Sequence, residues 1–182
     1  MREPEKHPWI VRGVVLAPAV LERVFEEARA AYARDEESCG LIVGPSIDAT
    51  CVDEVVPMEN RANKLHALDP ETYPRTGRMY FDIDPMKFAR AVREGEARGR
   101  PVKVLYHSHL DAGAYFSPTD AAVMSLGEPP AVEGGPITMG PGPHWPLAFL
   151  VVSVRAGALA GHQLFVWDGA ARDFVPSPLA VE

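Results

Sequence analysis

The sequence predicts a single α/β domain, a mixed and curved sheet with helices packed on its faces. Three observations predict it. Short β-branched apolar runs alternate along the chain with segments whose apolar residues recur every three or four positions. At 182 residues the chain has the length of one ordinary domain and can bury a sizeable core. Its 47% hydrophobic content and near-zero mean hydropathy are those of a soluble globular protein.

The elements follow in order. Val14-Val15-Leu16 is a first strand. Pro18 to Tyr32 carries Leu21, Val24, Phe25, Ala28 and Tyr32 at helical spacing, hence an amphipathic helix. Leu41–Gly44 and Thr50–Val56 read as a hairpin turning at residues 45–49, and residues 58–78 as a long polar loop. Tyr80–Ile83 is a short strand. Asp84 caps a helix with Pro85 at its first position, which runs to about Arg98 and stops at Gly99. Pro101–Tyr106 is a strand. Ser117 and Pro118 open another helix as N-cap and first residue. Leu147–Arg155 and Gly161–Trp167 read as antiparallel neighbours, and the Pro-interrupted tail 174–182 as a surface segment. Residues 127–146 hold eleven Gly and Pro. A loop so long is functional or disordered. Starting just after the Ser117 helix, it is either a flap over a substrate channel, with His144 and Trp145 lining it, or an insertion without a role.

The chemistry concentrates at His107-Ser108-His109, followed by Ser117 and Asp120. Side chains alternate along a strand, so both histidines point to one face and Ser108 to the other. Asp120 lies in the first turn of the next helix. Strand end and helix start can therefore converge on one ion. Two imidazoles and a carboxylate are the ligands of a catalytic zinc site with a fourth position for water, whose pKa the metal lowers to about 7. Taken singly, His-x-His fits a polar strand face and Asp120 fits a helix cap. Five identities at fixed spacing on a strand-loop-helix point to metal-assisted hydrolysis.

This His-x-His-x7-Ser-x2-Asp pattern resembles the signature of the JAMM (MPN+, JAB domain) zinc metalloproteases. The likeness extends to Glu37-Ser38-Cys39-Gly40-Leu41-Ile42-Val43-Gly44, to Val55-Val56-Pro57-Met58-Glu59-Asn60 and to Tyr80-Phe81-Asp82-Ile83-Asp84-Pro85, and covers about residues 13–178 of a single domain spanning 1–182. Leu110 departs from the proline often found after the second histidine in bacterial members. The resemblance implies the JAMM fold and one zinc ion (Zn2+) per chain on His107, His109 and Asp120. It implies Glu37 as the base that takes a proton from water and returns it to the leaving amine, and Ser117 as donor to the oxyanion. Glu36 competes for the base, though the spacing to Cys39-Gly40 favours Glu37. The implied substrate is a ubiquitin-like or sulfur-carrier protein cut after a C-terminal Gly-Gly.

Other classes fit less well. A metal-free scaffold has no use for an intact ligand set. The DNA-repair-associated JAB branch carries Asn between its histidines, and a zinc deaminase needs His-x-Glu with Pro-Cys-x-x-Cys. A net charge of −7 argues against nucleic acid as main partner. No apolar run reaches the ~20 residues of a membrane helix, and the charged start Met1–His7 has no signal core, so a cytoplasmic location is expected. The four histidines at 7, 66, 144 and 162 have no ligand spacing. Phe165 and Trp167 read as core. Cys51 is expected opposite about Val43, too far from Cys39 for a disulfide, with both thiols as small buried hydrophobes.

Overall fold

A computed structural model describes residues 7–182. The charged start read from the sequence lies almost wholly outside them. In chain order the elements are α1 (Pro8–Val11), β1 (Val14–Leu16), α2 (Pro18–Ala33), β2 (Cys39–Val43), β3 (Cys51–Val52), β4 (Glu54–Met58), α3 (Ala62–Leu68) and α4 (Pro85–Ala97). There follow β5 (Val102–Leu110), α5 (Pro118–Met124), β6 (Ala148–Arg155), β7 (Ala158–Asp168), β8 (Asp173–Ser177) and β9 (Leu179–Val181). Six strands form the main sheet in the order β4-β2-β5-β6-β7-β8, and β3-β1-β9 form a smaller one. Only the β5–β6 pair of the main sheet is parallel, so the sheet is mixed as expected.

The main sheet buries both faces. On one, Val20, Val24 and Ala28 of α2 pack on Ile42, Val104, Tyr106, Leu150 and Val152. The spacing of four along α2 puts these residues on one stripe. On the other, Val92 of α4 and Ala121 of α5 join Leu41, Leu105, Phe149, Val151 and Phe165. From Val104 onward the residues of β5 alternate between the two cores, with Leu105 on the face of α4 and α5; the register shift at Ile42/Val43 breaks the alternation before it, so that Val102 joins that same core and Lys103 packs over Trp9. Gly40 has to be glycine, because a Cβ there would lie 2.6 Å from the Tyr106 ring. Lys103 is fully buried and donates to the carbonyls of Pro45, Asp48 and Cys51, using all three ammonium hydrogens to clamp the turn after β2.

Four expectations need correction. The loop 58–78 contains α3, whose only buried residue is Ala62, so its helical periodicity is too faint to read. Tyr80–Ile83 belongs to no strand. Its inward backbone groups bond the Asn60 side chain and the Arg61 amide instead of another strand. The tail forms β8 and β9; Pro176 is tolerated because β8 is the edge of the main sheet. Val43 pairs with Glu54, while Cys51 lies in β3 beside Val15 of β1. The second hairpin strand divides at Asp53 because β3 leaves to pair parallel with β1. Both cysteines are free; Cys39 is buried and Cys51 half-buried. Phe165 is buried and Trp167 packs partly buried against the same core.

Candidate metal centre

Strand pairing brings the site together. β2 runs antiparallel to β5 with Cys39 opposite His107. The register continues past the end of β2, since the Ser108 amide donates to the Ser38 carbonyl at 3.0 Å. One residue further, Glu37 falls opposite His109. Alternation then turns Glu37 to the histidine face and Glu36 away. Glu36 instead accepts from Arg34 at 2.8 Å and borders a different hollow. Ser108 Oγ, fully buried on the opposite face, accepts from the Ser38 amide at 2.8 Å and lies 3.0 Å from the Ser38 hydroxyl.

The spacing of Ser117 and Asp120 is that of a capping box. Ser117 Oγ accepts the Asp120 amide at 3.0 Å, and Asp120 Oδ2 accepts the Ser117 amide at 3.0 Å. The reciprocal pair fixes the carboxylate against the histidines and leaves the Ser117 hydroxyl hydrogen free to donate.

His107 Nε2, His109 Nε2 and Asp120 Oδ2 form a nearly equilateral triangle with sides of 3.2, 3.2 and 3.3 Å. A tetrahedral ion with bonds of about 2.0–2.1 Å separates its ligand atoms by about 3.3 Å, so the donor set fits one. The Gly113 carbonyl lies 2.8 Å from His109 Nδ1. It holds the proton on that nitrogen and turns the lone pair of Nε2 inward. Lone pairs this close repel unless a cation or shared proton lies among them. All three residues are buried, and they form the metal-competent cluster among the described residues. Phe81 stacks on His107 with ring centroids 4.6 Å apart, and Phe116 meets its edge.

Electrostatics separate the two carboxylates. Burial alone would raise the Asp120 carboxyl, but the charges and hydrogen bonds of His107 and His109 outweigh it and hold it well below the usual range. Glu37 is only 5% exposed, and Oε2 has no partner among the described residues. Burial, then the neighbouring Asp120 charge, push its carboxyl well above the usual range. A cleft of about 480 Å³ opens on the centre. Glu37, His109 and Ser117 line it, with Arg78, Tyr115 and Glu133 among its other walls.

Residues 17–164 match the family of prokaryotic homologs of the JAB domain. The chain belongs to that family. No curated protein matches the chain in sequence. Among solved structures, a protein from Desulfitobacterium hafniense superposes with a TM-score of 0.58 at 19% identity, over 93% of this chain and 92% of its own. A protein from Salinibacter ruber does so with a TM-score of 0.56 at 20% identity, over 93% and 92%. A JAB1/MPN domain protein from Archaeoglobus fulgidus aligns over 93% and 97% at 13% identity, with a TM-score of 0.49. The first two show that the JAB chain shares their fold. The JAB/MPN family includes hydrolases.

The ends of the Gly/Pro-rich segment are packed. Met139 joins the second core, and Gly140 donates to Ser125 Oγ at 3.0 Å. Gly127 lies so close to Thr138 that a Cβ would sit 1.9 Å from its carbonyl. The tip reaches the metal cleft through Pro130, Glu133, Gly134 and Gly135. His144 and Trp145 line a separate apolar pocket of about 320 Å³ with Phe81, Ile83 and Phe88. The sequence assigns no site role to Asn60, Arg78 or Phe81, which meet the centre only through long-range contacts.

Proposed function

We propose that this protein is a zinc-dependent hydrolase of peptide or isopeptide bonds. The observation that carries the reading is the triangle of two imidazole nitrogens and one carboxylate oxygen opening on a cleft that also holds Glu37. Zinc held by His107, His109 and Asp120 would supply Lewis-acid activation of water at neutral pH. Glu37, a carboxylate with raised proton affinity, takes the proton of the attacking water and passes it to the leaving amine. Ser117 Oγ–H, its acceptor side already used by the helix, donates to the oxyanion as charge develops there.

The substrate we propose is a ubiquitin-like or sulfur-carrier protein cut after its C-terminal Gly-Gly. Support comes from residues 80–83, which line the separate apolar pocket and reach the centre through Phe81, stacked on His107. The Tyr80 carbonyl and the Asp82 amide and carbonyl bond inward to Asn60 and Arg61. The backbone groups of Phe81 and Ile83 make no backbone hydrogen bond among the described residues. An extended tail can add there as a strand, which is tolerant of sequence and suits glycine beside a buried metal.

Purified protein should carry about one zinc per chain and release the amine from a Gly-Gly-tailed carrier protein. Chelation should abolish the reaction, and a His107→Ala/His109→Ala double variant should lose both zinc and turnover. Stoichiometric zinc retained in that double variant would remove the assignment. Zinc bound by the wild-type protein without any amide hydrolysis would leave a metal-bearing scaffold.

A further inference from the structure

We infer that Asn60 is a positioning residue that ties the segment bearing Glu37 to the segment on which a substrate tail would pair. The inference rests on the hydrolytic function proposed above. Asn60 lies two residues beyond the end of β4, and its amide is saturated. Nδ2 donates to the carbonyls of Glu37 and Tyr80, each at 3.0 Å. Oδ1 accepts from the amides of Ala62 and Asp82, each at 3.0 Å. A carboxamide has two donor hydrogens and two acceptor lone pairs, so nothing is left over.

These four partners lie on three stretches of chain: the lead-in to β2, the start of α3, and the 80–82 segment. Neighbouring bonds reinforce the arrangement. The Glu37 amide donates to the Gly77 carbonyl at 2.6 Å, so the backbone of Glu37 is held at both ends by the region around the 80–82 segment. The Arg61 amide donates to the Asp82 carbonyl at 2.8 Å, and its guanidinium binds Asp82 Oδ1 through Nε at 2.8 Å and Nη2 at 2.6 Å. Asn60 touches neither the metal ligands nor the cleft. It acts through Glu37 on one side and through Tyr80 on the other. A general base displaced by about 1 Å from its water costs about a hundredfold in rate, so a single side chain that fixes base and tail together sets their relative geometry.

The donor and acceptor halves of the amide can be separated. Aspartate keeps both accepted bonds and is as good a turn and cap residue as asparagine. It cannot donate, and it sets a carboxylate oxygen against two carbonyls. If Asn60 served only to start α3, Asn60→Asp would behave as wild type and Asn60→Ala would be the damaged variant. Under the positioning role, Asn60→Asp should lose about 10- to 100-fold in kcat on a carrier protein whose Gly-Gly end is joined to a fluorogenic amine. Its KM should rise and its zinc content stay at one per chain. In a Glu37→Gln background the same change should cost kcat little more, because the two substitutions act on one group. Wild-type kcat in Asn60→Asp, or a full additive loss on top of Glu37→Gln, overturns the role of Asn60 and leaves the proposed function standing. Unfolding or zinc loss in both Asn60→Asp and Asn60→Ala makes Asn60 a structural keystone and also overturns it. Failure of the zinc-loaded wild-type protein to cleave overturns the proposed function, and the Asn60 role with it.

Discussion

Three residues of the centre are held in place by the structure around them. His109 is aimed by the Gly113 carbonyl, Asp120 by the capping box with Ser117, and Glu37 by the register of β2 on β5. Glu37→Gln should therefore keep zinc while losing about 10²–10⁴-fold in turnover, the usual cost of a missing general base. Metal analysis beside steady-state kinetics checks this. An inactive Glu36→Gln with an active Glu37→Gln would move the base by one residue, against the strand alternation. Stability gives a second readout in the metal-free protein. The folded state raises the Glu37 carboxyl above its ordinary value of 4.5, so it binds more protons than the unfolded chain. Stability then falls as pH rises from about 4.5 through the folded value. Glu37→Gln removes that loss, so its melting temperature should exceed wild type at pH 7 and match it below about pH 4.5. Ser108→Ala leaves the Ser38 amide and hydroxyl unpartnered in a buried place, a cost of about 1–3 kcal/mol. Denaturant melts should show that loss, and Ser108→Thr should restore most of it.

At the scale of elements, β5 and α5 present the ligands and the 127–146 segment shapes their access. Met139 and Gly140 tie the end of this segment to the core and to Ser125, so it cannot be removed whole without cost. The tip is separable, since the Gly135 amide closes a turn on the Val132 carbonyl and Val132, Glu133 and Gly134 are exposed. Removing residues 132–135 should leave zinc content and melting temperature nearly unchanged while raising KM for a Gly-Gly-tailed carrier protein. Removing 138–142 should lower the melting temperature, because Met139, packed half-buried against the core, and the buried Gly140 and Gly142 go with it. Equal KM in wild type and the tip deletion would show that the tip takes no part in binding.

Across the whole molecule, the small sheet joins the two ends of the described chain. β9 pairs in parallel with β1, and the Glu182 amide donates to the Leu16 carbonyl. Truncation before Leu179 strips one side of β1 and should lower the melting temperature, by about 2–4 °C for each kcal/mol lost in a domain of this size. Zinc should stay bound, because the ligands lie on the main sheet and α5. Metal loss on truncation would mean that the two sheets fold as one unit with the centre. Among the described residues no helix is long and apolar enough to cross a membrane.

The sequence by itself determined the parts whose signals are local. The convergence of His107, His109 and Asp120 was legible because His-x-His needs only strand alternation and Ser-x2-Asp only the spacing of a helix cap. The helix from Pro85 was legible because Asp84 accepts the amides of Met86 and Lys87, a bond pattern set within four consecutive residues. Tertiary structure decided what depends on pairing across long stretches of chain. The spacing to Cys39-Gly40 already favours Glu37, but what turns it into the cleft and Glu36 away is the register of β2 on β5. The Tyr80–Ile83 run has the composition of a strand, but its backbone partners are the Asn60 side chain and the Arg61 amide about twenty residues away. The proline-broken tail becomes strands because an edge position and a free side of β1 were waiting for it. Local propensity is written in neighbouring residues, whereas the partner that satisfies a backbone group is chosen only when the chain has closed on itself.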